Sequence, residues 1–164
     1  MNFSKQTSHL LHEEHRANLD LLNRVEQALV RAPRGAGPRA PALLQIMVAL
    51  ARHLEHDIER HFIFEERELF PLMHEAGDGE IAMLLLEEHA AIRAVTEELL
   101  PLTRAASAGT LSEPEWAALK RGALEMVERQ VAHIQKEEMA LLPLLDDLLD
   151  DETDRQLAFD YAAQ

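Results

Sequence analysis

The same pattern of chemically capable side chains occurs twice in this 164-residue chain. His61-Phe-Ile-Phe-Glu65-Glu66-Arg-Glu-Leu69-Phe-Pro71-Leu72 and His133-Ile-Gln-Lys-Glu137-Glu138-Met-Ala-Leu141-Leu-Pro143-Leu144 both fit His-x-x-x-Glu-Glu-x-x-Leu-x-Pro-Leu. A second pair of similar stretches is Leu10-Leu11-His12-Glu13-Glu14-His15 and Leu84-Leu85-Leu86-Glu87-Glu88-His89. Imidazole beside carboxylate is the usual protein toolkit for hard and borderline transition metals. Four residues along a helix turn the chain by about 400°, so His61 and Glu65, like His133 and Glu137, share one stripe a turn apart. Spacing alone is a weak signal. His9 with Glu13 has it too, near the start of the chain and outside the repeat.

The neighbours on each stripe give the spacing its weight. One stripe reads Leu50, Leu54, Asp57, His61, Glu65, Leu69, Leu72; the other reads Met126, Gln130, His133, Glu137, Leu141, Leu144. His15 interrupts Leu11, Leu19 and Leu22 in the same manner, and His89 interrupts Leu85, Ile92 and Thr96. Four histidines and two glutamates are therefore expected in the core at one level. A single such histidine is more often a core imidazole satisfied by a neighbouring carboxylate, but six groups related by an internal repeat point to a shared site. Burying two carboxylates without cationic partners costs several kcal/mol each. A pair of divalent or trivalent metals supplies the missing charge. Two glutamates bridging two ions, with two histidines apiece, is a chemically sensible dinuclear site.

Four helical segments, 6–32, 41–74, 79–107 and 112–147, must hold these groups. Leu, Ala, Glu and Arg dominate all four, and no stretch alternates long enough to suggest a strand. Pro33, Gly35, Gly37, Pro38 and Pro41 mark one loop, Gly77 and Gly79 a second, Gly109 and Pro114 a third. Ser112 with Glu115 forms a capping-box pattern ahead of the fourth segment. Pro101 is expected to kink or end the third, because it removes an amide donor and clashes one turn back. The acidic end, Leu148–Gln164, reads as a short fifth helix or a frayed tail. The fold class expected is all-α: an antiparallel up-down four-helix bundle of two similar hairpins, in a single domain over 1–164.

Composition narrows the chemistry further. Thirty acidic residues against 16 basic give a net charge of −14, which argues against nucleic acid or an anionic membrane surface as partner. The absence of cysteine excludes disulfides, thiolate metal sites and thiol catalysis, and fits a reducing compartment, the cytoplasm. No apolar run approaches a membrane span. A homo-oligomer is compatible with the sequence. Neither Glu-x-x-His of ferritin-like di-iron proteins nor His-Glu-x-x-His of zinc proteases occurs, and a mononuclear zinc site would leave ligands over.

The chain resembles the hemerythrin-like (HHE cation-binding) domains. The resemblance rests on His15, the His61/Glu65 pair with Glu66 and the following Leu-Phe-Pro, His89, and the His133/Glu137 pair with its Leu-Leu-Pro. It implies a four-helix bundle holding a non-haem di-iron centre. His15, His61, His89 and His133 would be terminal ligands, Glu65 and Glu137 bridging carboxylates, with an oxo or hydroxo group completing the bridge. Manganese or zinc could occupy the same ligands. Oxygen-carrying members have a second histidine one turn after the third-helix ligand and an aspartate five residues after the fourth-helix histidine. Here those positions are Arg93 and Glu138. The site is similar to the six-ligand version of sensor, stress-response and cation-binding members, which leaves an open or water-filled position. The implied small-molecule partners are oxygen, peroxide or nitric oxide, or the protein responds to iron itself. A di-iron oxidase or a peroxide- or nitric-oxide-scavenging enzyme is the alternative, although the sequence shows no dedicated proton donor and Tyr161 falls in the tail.

The remaining polar residues receive lesser roles. His12 is a candidate neighbour of the site, and Asp57 a candidate acceptor for a ligand imidazole. Arg93 would pair with Glu65 or Glu137 or reach the surface. His53 and His56 are expected at boundary or surface positions, and His74 in a solvated loop.

Overall fold

A computed structural model describes residues 3–31 and 41–163 of the chain. The proline- and glycine-rich loop placed at Pro33–Pro38 lies outside the described residues. Among those described there are five helices and no strand. Helix α1 is Gln6–Arg31, α2 spans residues 41–75, α3 is Gly79–Ser107, α4 spans residues 113–148 and α5 is Asp151–Ala162. Helix α1 packs on α2 and α4, and α3 packs on the same two, which closes a four-helix bundle. The α2–α3 and α3–α4 turns carry Gly77 (φ +97°) and Gly109 (φ +70°). Both sit in the left-handed region that a side chain disfavours.

Ser112 begins α4 as expected: Glu115 accepts from the Ser112 amide at 2.8 Å and from its hydroxyl at 2.5 Å. Pro101 does not end α3, which continues to Ser107. Pro101 and Glu97, whose carbonyl loses its donor, are both exposed, so water can replace the missing bond.

Helices α2 and α4 are interrupted by π turns, each with one extra residue in the hydrogen-bonded ring. One spans Glu65–Leu69 and another Glu137–Leu141. The amide of Phe70 donates to the Glu65 carbonyl, and that of Leu142 to the Glu137 carbonyl. Pro71 and Pro143 follow in the first turn of the next α segment, where a missing amide is tolerated. The extra residue advances the inward stripe. Phe70 and Met73 are buried while Leu72 is half-buried, and Leu142 and Leu145 are buried while Leu144 is half-buried.

The apolar core is split in two. Leu22, Met47, Leu54, Ile92, Leu119 and Met126 belong to one cluster; Leu11, Phe64, Leu69, Leu85, Leu141 and Leu157 belong to the other. The expected polar stripe positions fall between them on every helix of the bundle.

The acidic end forms a docked helix. Asp150 accepts from the amides of Glu152 and Thr153 at 3.0 and 2.8 Å, capping α5. Asp154, 4 % exposed, accepts from the amides of Gln6 and Thr7 at 2.9 and 2.8 Å. A carboxylate there satisfies orphan donors and opposes the positive end of the α1 dipole. The acid of the tail thus ties α5 to the start of α1.

Candidate metal centre

The six residues singled out by periodicity converge. His15, His61, His89 and His133 are 0–5 % exposed, and Glu65 and Glu137 are both 0 %. They divide into two quartets, His15, His61, Glu65, Glu137 and Glu65, His89, His133, Glu137, each offering atoms within 4.8 Å of one another. In the first, His15 Nε2 lies 3.3 Å from His61 Nε2 and 3.1 Å from Glu137 Oε2, while His61 Nε2 lies 3.1 Å from Glu65 Oε1. In the second, His89 Nε2 lies 3.0 Å from His133 Nε2 and 3.3 Å from Glu65 Oε2, with His133 Nε2 2.9 Å from Glu137 Oε1. Each glutamate therefore gives one oxygen to each quartet.

The outer nitrogen of each imidazole is spoken for. His15 Nδ1 donates to Glu138 at 2.7 Å, His61 Nδ1 to Glu14 at 3.2 Å, His89 Nδ1 to Glu66 at 2.8 Å and His133 Nδ1 to Glu88 at 2.9 Å. A hydrogen bond at Nδ1 fixes the tautomer that leaves the Nε2 lone pair facing inward. The outer carboxylates are themselves balanced. Arg60 reaches Glu14 at 2.6 Å, Arg93 reaches Glu66 at 2.7 Å, Lys136 reaches Glu88 at 2.5 Å and His12 reaches Glu138 at 2.8 Å. The Phe62 ring stacks on His89 with centroids 3.6 Å apart, which holds that imidazole in plane.

Electron-rich atoms meeting in a buried layer call for a cation. The four carboxylate oxygens of Glu65 and Glu137 have no hydrogen-bond partner among the described residues, an arrangement that is costly unless positive charge enters. Protons can supply it in part. Burial opposes charging His15 and His89, yet the facing carboxylates outweigh burial and push both up to about 9. His61 rises well above its ordinary value against the same opposition from burial, through Glu65, Glu137 and Glu14. Burial pushes Glu137 up, but the surrounding imidazoles hold it well below the carboxylate range. Glu14 is drawn down to about 2, with His61 and Tyr161 overcoming its burial. A metal ion in each quartet would accept both Nε2 lone pairs and neutralise both shared carboxylates, so the donor set fits divalent or trivalent metals.

Several lesser expectations are corrected. Arg93 pairs with Glu59 and Glu66 and not with Glu65 or Glu137; it backs the acceptor of His89. Asp57 faces none of the four quartet imidazoles; its Oδ2 lies 3.6 Å from His53 Nδ1. His53 is not a boundary residue but is 1 % exposed, with Nε2 3.0 Å from Gln130 Oε1. A third π turn, His53–Asp57, begins at this residue. His74 is exposed but helical, inside Phe70–Glu75. Tyr161 is 5 % exposed; its hydroxyl donates to Glu14 and lies 3.2 Å from His61 Nδ1. Helix α5, read as a possible tail, thus reaches the edge of the site.

Among curated proteins none matches the chain. No helix among the described residues is long and apolar enough to cross a membrane. The family model described as hemerythrin HHE cation binding domain matches residues 6–145, a span that holds both quartets and the carboxylates behind them and stops short of α5. The chain therefore belongs to the hemerythrin HHE cation-binding family.

Proposed function

We propose that this is a non-haem di-iron protein that binds or senses oxygen, peroxide, nitric oxide or iron itself through a four-histidine, two-glutamate site. His15 and His61 would hold one ion, His89 and His133 the other, and Glu65 and Glu137 would contribute one oxygen to each. The observation that carries this reading is the sharing of both buried glutamates between the two quartets. A lone metal site would not need both oxygens of both carboxylates. Two irons would supply one-electron redox steps and exchangeable coordination positions; manganese or zinc would fit the same donors without the same redox range. Lack of cysteine supports a cytoplasmic setting, and the charge of −14 argues against a nucleic-acid partner.

The test is elemental analysis of protein from iron-supplemented cells, with a near-ultraviolet spectrum for oxo-bridged ferric charge transfer. About two irons per chain, one for each quartet, supports the reading; a metal-free protein whose stability His61→Ala leaves unchanged contradicts it.

An enzymatic reading is favoured by one observation, the buried Tyr161 hydroxyl beside His61 and Glu14. It places an O–H group next to a proposed ligand. Anaerobic reduction followed by a measured dose of oxygen, and in a second arm of peroxide, separates the two: a stable, reversible oxygen adduct marks a binding protein, and prompt oxidation of the irons with repeated removal of the added peroxide marks an enzyme.

A further inference from the structure

Four carboxylates orient the four imidazoles of the centre, and one of them differs from the rest in what backs it. Glu14, Glu66 and Glu88 are held by Arg60, Arg93 and Lys136, all cations at neutral pH. Glu138 is held by His12, with Nδ1 2.8 Å from Oε2. The internal repeat sharpens the difference. Arg93 stands one turn after His89; the matching position one turn after His15 is Leu19, which packs against the apolar core. His12, one turn before His15, takes over the backing role.

That exchange changes what the position can do. Arginine or lysine donates hydrogen bonds but offers a metal no lone pair, and its charge repels one. A neutral imidazole donates through one nitrogen and keeps a lone pair on the other, the commonest protein donor to metals. With Nδ1 turned to Glu138, His12 Nε2 has no hydrogen-bond partner among the described residues. The pair also stands at the surface: the side chains of His12 and Glu138 are 20 % and 21 % exposed, against 1 % for His15 and 0 % for Glu137.

From there the contacts run inward without a gap. Glu138 Oε1 meets His15 Nδ1 at 2.7 Å, and His15 Nε2 meets Glu137 Oε2 at 3.1 Å. Glu138 directly follows Glu137 in one π turn, so the outer and inner carboxylates are neighbours in the chain. Arg16, one turn further along α1, is directed to Glu13 at 3.3 Å and not to this pair. A net charge of −14 draws cations to the surface, while Arg60, Arg93 and Lys136 oppose their entry beside the other three carboxylates.

We propose that His12 and Glu138 form the loading port of the centre, a surface ligand pair that first receives a divalent cation and passes it inward to His15 and Glu137. The inference rests on the metal-binding reading above and adds the route by which that site fills.

The test follows metal uptake by the metal-free full-length chain. Ferrous iron is added anaerobically, and unbound metal is read at intervals with a chromophoric chelator. His12→Arg keeps a cation against Glu138 but offers no lone pair, and His12→Gln is a neutral, milder change that removes the imidazole. Both are expected to slow uptake about tenfold or more. Final metal content and equilibrium affinity should stay within about twofold of wild type, because Glu138, the partner of His15, is retained. Release to excess chelator should then slow by the same factor as uptake, since affinity is the ratio of the two rates. His56→Arg, the same change at an exposed position on α2, should load like wild type.

Wild-type uptake in both His12 variants overturns the proposal. Slow uptake in only one of them does so as well, because the port ligand is lost in both. A loss of affinity as large as the loss of rate also overturns it, since His12 would then be holding the finished site together. A wild type that binds no metal overturns the functional reading first, and this inference falls with it.

Discussion

Glu14 Oε2 on α1 accepts from His61 Nδ1 on α2 at 3.2 Å, and Glu14 directly precedes His15, whose own Nδ1 is held by Glu138 on α4. The relationship repeats around the bundle: α2 supplies Glu66 to His89 on α3, and α3 supplies Glu88 to His133 on α4. Every helix both presents an inward imidazole and orients the imidazole of the next. The arrangement fixes four tautomers through contacts between helices, so the packing of the bundle and the geometry of the site depend on one another.

Loosening one acceptor should therefore weaken metal binding without removing a ligand. Glu88→Gln keeps the shape of the side chain but loses the charge facing His133 and Lys136. Partners of this kind are worth about 10–100-fold in metal affinity. Competition against a chromophoric chelator measures it. Glu87→Gln, at the exposed neighbouring position, should have no comparable effect.

Metal-free and metal-loaded protein should respond differently to alkali. His15 and His89 are pushed up to about 9 and His61 well above its ordinary value. For groups raised on folding, the stability they bring is complete below the unfolded value, about 6.5, and is lost as pH climbs through the folded value. Metal-free protein should thus melt at progressively lower temperature from about pH 6.5 to beyond pH 9. Loaded protein should not, because ions need the deprotonated imidazoles. Melting curves across that range check both, and metal addition near pH 7 should release protons measurable in weakly buffered solution.

The inward residues were legible in the sequence because a 3.6-residue period fixes which side chains share a stripe. An internal repeat then separated His61, Glu65, His133 and Glu137 from the isolated His9 and Glu13 pair. The outer ring was also present in the repeats. Glu14 and Glu88 precede a histidine, while Glu66 and Glu138 follow a glutamate. Each, however, points about 100° away from its neighbour toward another helix, and its partner is fixed only once helix order and rotation are known. The π turns hid for a related reason: one extra residue shifts the stripe, as Leu72 against Met73 shows, and only Pro71 and Pro143 hinted at a broken ladder. His53 was misplaced by the same phase shift. Tyr161 was out of reach because its position depends on Asp154 capping a helix at the far end of the chain.

That cap can be tested directly. Asp154→Ala removes the acceptor for the Gln6 and Thr7 amides and leaves the buried Thr7 amide without one. The loss should be about 1–2 kcal/mol, or roughly 2–8 °C in Tm for a chain of this size. Asp160→Ala, at an exposed position on α5, should change Tm little. Thermal melts of the two variants decide between a docked helix and a loose tail.

Tyr161→Phe separates the role of the hydroxyl from that of the ring. The ring packs against Phe64 at 4.4 Å and remains in the variant, while the bond to Glu14 is lost. Metal stoichiometry should be unchanged. If the hydroxyl serves only to hold Glu14, the rate of reoxidation by oxygen stays within about twofold of wild type, whereas a slower reaction of tenfold or more marks Tyr161 as part of the chemistry.

The most direct test of the shared-carboxylate centre is metal stoichiometry in Glu137→Ala set against wild type. Both quartets use Glu137, so wild type should hold about two ions per chain and the variant should lose tight binding of both together. A wild type with one ion or none, or a variant that loses one ion and keeps the other at full affinity, would contradict the account.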